Sequence, residues 1–187
     1  MMPKMRYGIE EHRHRFSVRA AARAAQRGLR KAKVAVLRKA LENSGVAEYL
    51  RTCDGDAVDE AGFDAEHRVW CQRVASSLRE AGVENVAFGR AAKLIAVYLK
   101  SAVVMDKHAT ELARVAHPPI DGILLRNIAA CADVRSDYKR EWARVRWTQL
   151  DEDGYYRLIS QLRAAFGARE SFWMLERYWT VTDEPGQ

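Results

Sequence analysis

A single all-α domain is predicted from three observations. Helix-favouring Ala, Leu, Arg and Glu are abundant, and only 11 Gly and 4 Pro interrupt 187 residues. Apolar residues recur at three- and four-residue spacing along most of the chain. Period-two segments and tight hairpin signals between β-branched runs are missing. The periodic segments number about seven to nine, in one compact domain or in two small lobes around a cleft, and the length allows a real core.

The first helix is expected over 9–25, where Ile9, Phe16 and the alanines at 20, 21 and 24 share a face. Its alanines allow a second helix to approach closely. Gly28 interrupts it, and Val34, Leu37 and Leu41 continue a helical stripe to the stop signal Ser44-Gly45. Arg27, Arg30, Lys31, Lys33, Arg38 and Lys39 crowd this region with no acid until Glu42. Such a run is either a solvated face or a stripe that contacts phosphate. Residues 52–62, TCDGDAVDEAG, read as a loop, because their acids do not follow the order of a calcium-binding loop. Asp64 is a plausible N-cap for the helix that carries Val69, Trp70, Val74 and Leu78 and ends at Ala81-Gly82.

The stretch 83–126 organises the rest. Phe88, Ala92, Ile95, Leu99 and Ala102 form an apolar stripe, with Arg90 and Lys93 toward the opposite, polar side. The helix is expected to end near Met105-Asp106, before a further one or two helical turns around Thr110 to Val115. His117-Pro118-Pro119 stops the chain, since proline lacks an amide donor and restricts its predecessor. Asp121 then precedes Ile123, Leu124, Leu125 and Ile128 as a helix N-cap. Lys93 and Asp121 thus stand near the starts of two helices, a placement that lets an amine and a carboxylate share one site.

Beyond it, Tyr138, Trp142 and Val145 mark a segment in which Lys139, Arg140, Arg144 and Arg146 alternate with aromatics. Thr148 and Asp151 read as a capping pair for a helix with Tyr155, Leu158, Ile159 and Leu162, stopping at Phe166-Gly167. A last helix, 172–179, is dense in aromatics and is expected to close the core; residues 180–187 form a frayed tail. The expected core includes Phe88, Ile95, Leu99, Ile123, Leu124, Leu158 and Trp173.

A net charge of +6 raises the expectation of a polyanionic partner. Cys53, Cys71 and Cys131 are odd in number and far apart, with no CxxC pair, so free thiols in a reducing cytoplasm are expected. No apolar run reaches the length of a membrane span, and the basic N-terminus has no apolar signal core. P-loop, GxGxxG, HExxH and nucleophile-elbow patterns are missing, and no cofactor or metal is expected.

Gly89, Lys93, Pro119 and Asp121, with Pro118 in support, occur in the order turn, glycine, lysine near a helix start, then Pro-x-Asp at a later helix start. That order resembles the helix-hairpin-helix DNA glycosylases, in particular the 8-oxoguanine glycosylases with their archaeal branch. The likeness covers 83–126. Val86-Ala87-Phe88-Gly89 has one glycine where the family hairpin has two, and the four-cysteine iron–sulfur loop of some members is missing. The resemblance implies a base-excising enzyme acting on DNA, with Lys93 as nucleophile and Asp121 assisting. It also implies a hairpin around Gly89 and Arg90 that binds the DNA backbone. Arg27, Arg30, Lys31, Arg140 and Arg144 are the further candidate nucleic-acid contacts. The alternative is a non-catalytic basic helical protein that binds nucleic acid or a protein partner. A metal-dependent hydrolase using His12, His67 or His117 with Asp64 or Glu66 ranks last, because only His67 beside Glu66 has any ligand-like spacing.

Overall fold

A computed structural model describes residues 7–166 and 170–180. Among them the fold is all-α, in one compact arrangement, and the sole β feature is an isolated bridge between Arg30 and Glu84. The helices are α1 (Ile9–Gln26), α2 (Val34–Glu42), α3 (Val46–Thr52), α4 (Glu60–Glu80), α5 (Phe88–Leu99) and α6 (Met105–Lys107). They continue with α7 (Glu111–Val115), α8 (Gly122–Ala130), α9 (Lys139–Trp142) and α10 (Glu152–Phe166). A π turn, Lys100–Val104, joins α5 to α6 in one continuous rod, and 3-10 turns cover Trp147–Gln149 and Phe172–Tyr178.

Gly28 and Gly45 sit at φ 77 and 92, the left-handed region where a side chain is strained, so the chain turns where the glycines are. The sequence does not announce α3, which starts directly at Gly45. Helix α4 begins one turn earlier than expected. Its N-cap is Asp59, whose carboxylate accepts from the Gly62 amide at 2.7 Å, and this frees Asp64 for another role. Asp151 caps α10 by accepting from the Gly154 amide, whereas Thr148 belongs to the preceding 3-10 turn. The last element is a 3-10 turn rather than an α-helix. Gly167 and the stretch 181–187 of the expected tail lie outside the described residues.

Helix α5 is the axis of the molecule. It packs on α1, α4, α10 and the 147–149 turn, and ten of its 12 residues are buried. The buried Ala21, Ala22 and Ala25 of α1 and Ala91 and Ala92 of α5 leave room for close packing of these two helices. The expectation of a polar face on α5 is therefore corrected. Only Lys93 and Val97, one turn apart, are half-buried, and they form a single window in an otherwise covered helix. Phe88, Ile95, Leu99, Leu124 and Leu158 lie in the core as expected, but Ile123 and Trp173 are only half-buried.

Candidate functional site at Lys93 and Asp121

The amine of Lys93 and the carboxylate of Asp121 meet. Lys93 Nζ donates to Asp121 Oδ2 at 2.9 Å, with both side chains nearly covered, 13% and 11% exposed. Helix α5 brings the lysine to its window, and the Pro118-Pro119 turn delivers Asp121 to the start of α8. Asp121 also caps α8 through Oδ1, which accepts from the Ile123 and Leu124 amides at 2.9 and 3.0 Å. The cap and the ion pair thus use different oxygens of one carboxylate.

Two tryptophans complete the site. Trp179 Nε1 donates to Asp121 Oδ2 at 3.0 Å, and Lys93 Nζ lies 4.7 Å from the centroid of the Trp147 ring, a cation–π contact. Asn127 on α8 secures the C-terminal segment by donating to the Tyr178 carbonyl at 2.8 Å. No local sequence pattern singles out either tryptophan or Asn127 for this site. Their partners are too distant in the chain for any local pattern to point to them.

Burial alone would raise the Asp121 pKa. The Leu124 amide, the Lys93 ammonium and the Trp179 N–H together outweigh it and hold the carboxyl below its ordinary value. The site therefore keeps a fixed negative charge beside an amine, partly shielded from water and bordered by indole rings.

The hairpin residues have other roles than expected. Gly89 is buried, and a Cβ there would overlap the Trp147 carbonyl oxygen, so the glycine permits α5 to abut the 147–150 segment. Its amide donates to the Leu150 carbonyl at 3.0 Å. That position leaves no surface for a phosphate. Arg90 is also buried. Its guanidinium donates to the Arg27 and Gly28 carbonyls at 3.1 and 3.0 Å and lies 5.7 Å from the Trp147 ring, so it clamps the end of α1 to α5. Both assignments as DNA contacts are withdrawn.

Arg27, Arg140 and Arg144 are exposed, and among the described residues none has a carboxylate within ion-pair distance. Arg30 and Lys31 are exposed too but share Glu84, with Lys31 Nζ at 2.5 Å from it. A cleft of about 630 Å³ between α1, α3 and α7, walled by His14, Leu50 and Tyr98, contains neither Lys93 nor Asp121.

Behind the site, a buried polar network fixes the run that leads to Asp121. Asp64 accepts from Arg163 through both oxygens, at 2.6 and 2.9 Å, and from His117 Nε2 at 2.9 Å. The Tyr155 hydroxyl lies 3.1 Å from His117 Nδ1 and donates to it when the ring is neutral. A second chain ends on the same residue. The Tyr156 hydroxyl donates to the Asp64 carbonyl, so His67 Nδ1 must donate to Tyr156, and His67 Nε2 is left facing the Cys71 thiol. The two imidazoles, fully buried, stand 4.5 Å apart. These contacts occupy His67, His117 and Asp64, three of the five candidate metal ligands, and no cluster of three or more His, Cys, Asp or Glu suited to a metal occurs among the described residues.

Burial lowers the pKa of His67 well below its ordinary value and, against the pull of Asp64, lowers that of His117. Below about pH 6.5 the unfolded chain therefore takes up protons that the folded chain refuses, and stability falls with pH. The urea midpoint is expected to drop between pH 7.5 and pH 5, approaching a slope of about 1.4 kcal/mol per pH unit for each proton. His67→Phe should flatten the decline; an unchanged slope would show that His67 is not its source.

No family model, curated protein or solved structure matches the chain. No helix of the described residues is long and apolar enough to cross a membrane.

Proposed function

We propose that the protein is a DNA glycosylase-like enzyme that excises a modified base, with Lys93 as nucleophile and Asp121 as its electrostatic partner. The observation that carries this reading is the Lys93–Asp121 pair itself, shielded on two sides by Trp147 and Trp179. The resemblance of 83–126 to the helix-hairpin-helix glycosylases and the charge of +6 support it.

The chemistry is coherent. A target base must leave the stack, at about a few kcal/mol, to expose its sugar. With one ammonium proton first given up to solvent, the neutral Lys93 nitrogen attacks C1′ and forms a C–N bond as the bond to the base breaks, and a proton from the new secondary ammonium goes to the departing base. Positive charge develops on the sugar during this step, and the ionised Asp121 carboxylate stabilises it. Ring opening then gives a Schiff base, from which elimination of the 3′ phosphate cleaves the strand.

A second reading, a non-catalytic basic protein, is favoured by one observation. Both Asp121 oxygens are already fully engaged, as they would be in a purely structural ion pair. Borohydride trapping separates the two. Incubation with DNA carrying a modified base such as 8-oxoguanine should give a covalent adduct that requires borohydride, and Lys93→Ala should abolish it. Failure to trap across a panel of modified bases, with DNA binding retained, selects the non-catalytic protein.

A further inference from the structure

We infer that the outer face of α1 is a contact surface for single-stranded nucleic acid, with Phe16 as a stacking platform between arginines. The inference rests on the nucleic-acid part of the preceding reading and does not depend on catalysis.

Between His12 and Leu41 the chain carries ten Lys or Arg and no Asp or Glu. In the structure this bias is concentrated on a surface. Arg15, Arg19, Arg23 and Arg27 are all exposed, and among the described residues Arg19, Arg23 and Arg27 have no carboxylate within ion-pair distance. At 3.6 residues per turn, Phe16, Arg19 and Arg23 lie within about 60° of one another around α1, and Arg27 continues the row. From Phe16 to Arg27 the row spans about 16 Å. Its far end is joined to α5 by the Arg90 clamp on Arg27 and Gly28, one turn before Lys93.

Phe16 is 60% exposed in the middle of these cations, and Tyr7, also exposed, has the Arg15 guanidinium 5.0 Å from its ring centroid. An exposed aromatic ring at the head of a row of arginines, Arg19, Arg23 and Arg27, that have no carboxylate within ion-pair distance among the described residues matches the two needs of a single strand, a π-face for a base and cations for its phosphates. A bilayer would need a broad apolar face. The apolar side of α1, with Val18, Ala21, Ala22 and Ala25, is instead buried in the protein, and Ile9 and Phe16 alone among its large apolar side chains are exposed, too few for such a face. Duplex DNA offers phosphates but no free base for Phe16, so the ring provides selectivity for unpaired strand.

The test is fluorescence anisotropy of the full chain with an unmodified oligothymidylate and with a mixed-sequence duplex, across a salt series. Arg19→Glu/Arg23→Glu should weaken binding to the single strand at least ten-fold and lower the salt slope by about 0.7 per lost phosphate contact. Phe16→Ala should weaken single-strand binding about ten-fold and leave duplex binding unchanged. All three side chains are exposed, so the far-UV circular dichroism spectrum should not change. Single-strand affinity unaffected by both variants overturns the inference. So does wild-type binding to phosphatidylserine vesicles with no binding to either oligonucleotide. Borohydride trapping reports on the enzyme separately. Trapping that persists while the α1 variants bind normally removes this surface and keeps the glycosylase, whereas the expected α1 effects without trapping do the reverse.

Discussion

Replacing Asp64 by alanine is expected to lower the unfolding free energy by about 3 kcal/mol, the low end of the range for stripping one partner from a buried charge pair, since Asp64 and Arg163 are half-buried. The cause is what the substitution leaves behind. Arg163 loses the acceptor of both terminal nitrogens, and His117, fully buried, loses the acceptor of its Nε2–H. His117 does not reach water, and half-buried Arg163 keeps only Glu60, at 3.5 Å, so much of the desolvation already incurred goes uncompensated. The Arg163 guanidinium and His117 hold the Asp64 carboxyl well below its ordinary pKa despite burial, which indicates how strongly the site favours its ionised form. Asp64→Asn keeps one acceptor and the shape, and should cost less than the alanine. Urea unfolding at pH 7 measures both, and a loss under 1 kcal/mol for Asp64→Ala would falsify a structural role for this network. His117 opens the His-Pro-Pro run to Asp121, so the same variant should also loosen the Lys93 pair.

Asp121→Asn is expected to slow base release by about 100- to 1000-fold, the scale for losing one preorganised electrostatic contact to a transition state. Asparagine caps a helix about as well as aspartate, and its amide oxygen retains the Ile123 and Leu124 amides. The start of α8 therefore survives while the negative charge beside Lys93 is lost. Affinity for DNA should stay within a few-fold, because no exposed cation is altered. Single-turnover assays on DNA with the modified base separate the two quantities. If the asparagine variant releases base at the wild-type rate, Asp121 is only a cap, and the catalytic assignment of the pair goes with it.

Where the sequence was legible, the physical information was local. Gly28, Gly45 and Gly82 mark helix ends at the positions where the backbone takes positive φ. Asp121 caps α8 two residues after the Pro-Pro turn, as expected. Lys93 and Asp121 could be named because each stands near a helix start in an order resembling a known family. The information that failed was long-range. Gly89 and Arg90 looked like hairpin residues because the 147–150 segment and the 27–28 carbonyls that claim them lie about 60 residues away in either direction. Lys93 looked solvated because periodicity alone gives α5 a polar side, and Trp147 covers that side from a distant turn. Asp64 looked like a cap because nothing near it reveals Arg163.

The bond from Trp179 to Asp121 also has a temporal meaning. The tryptophan follows its acceptor by 58 residues. At synthesis rates of about 5–20 residues per second, Asp121 is added to the chain roughly 3–12 s before Trp179. During that interval the amine and carboxylate can already pair, but one indole of their cover does not yet exist. The nascent chain thus passes through a stage in which the Lys93–Asp121 pair is less covered than in the structure described, and arrival of the 178–180 segment ends that exposure.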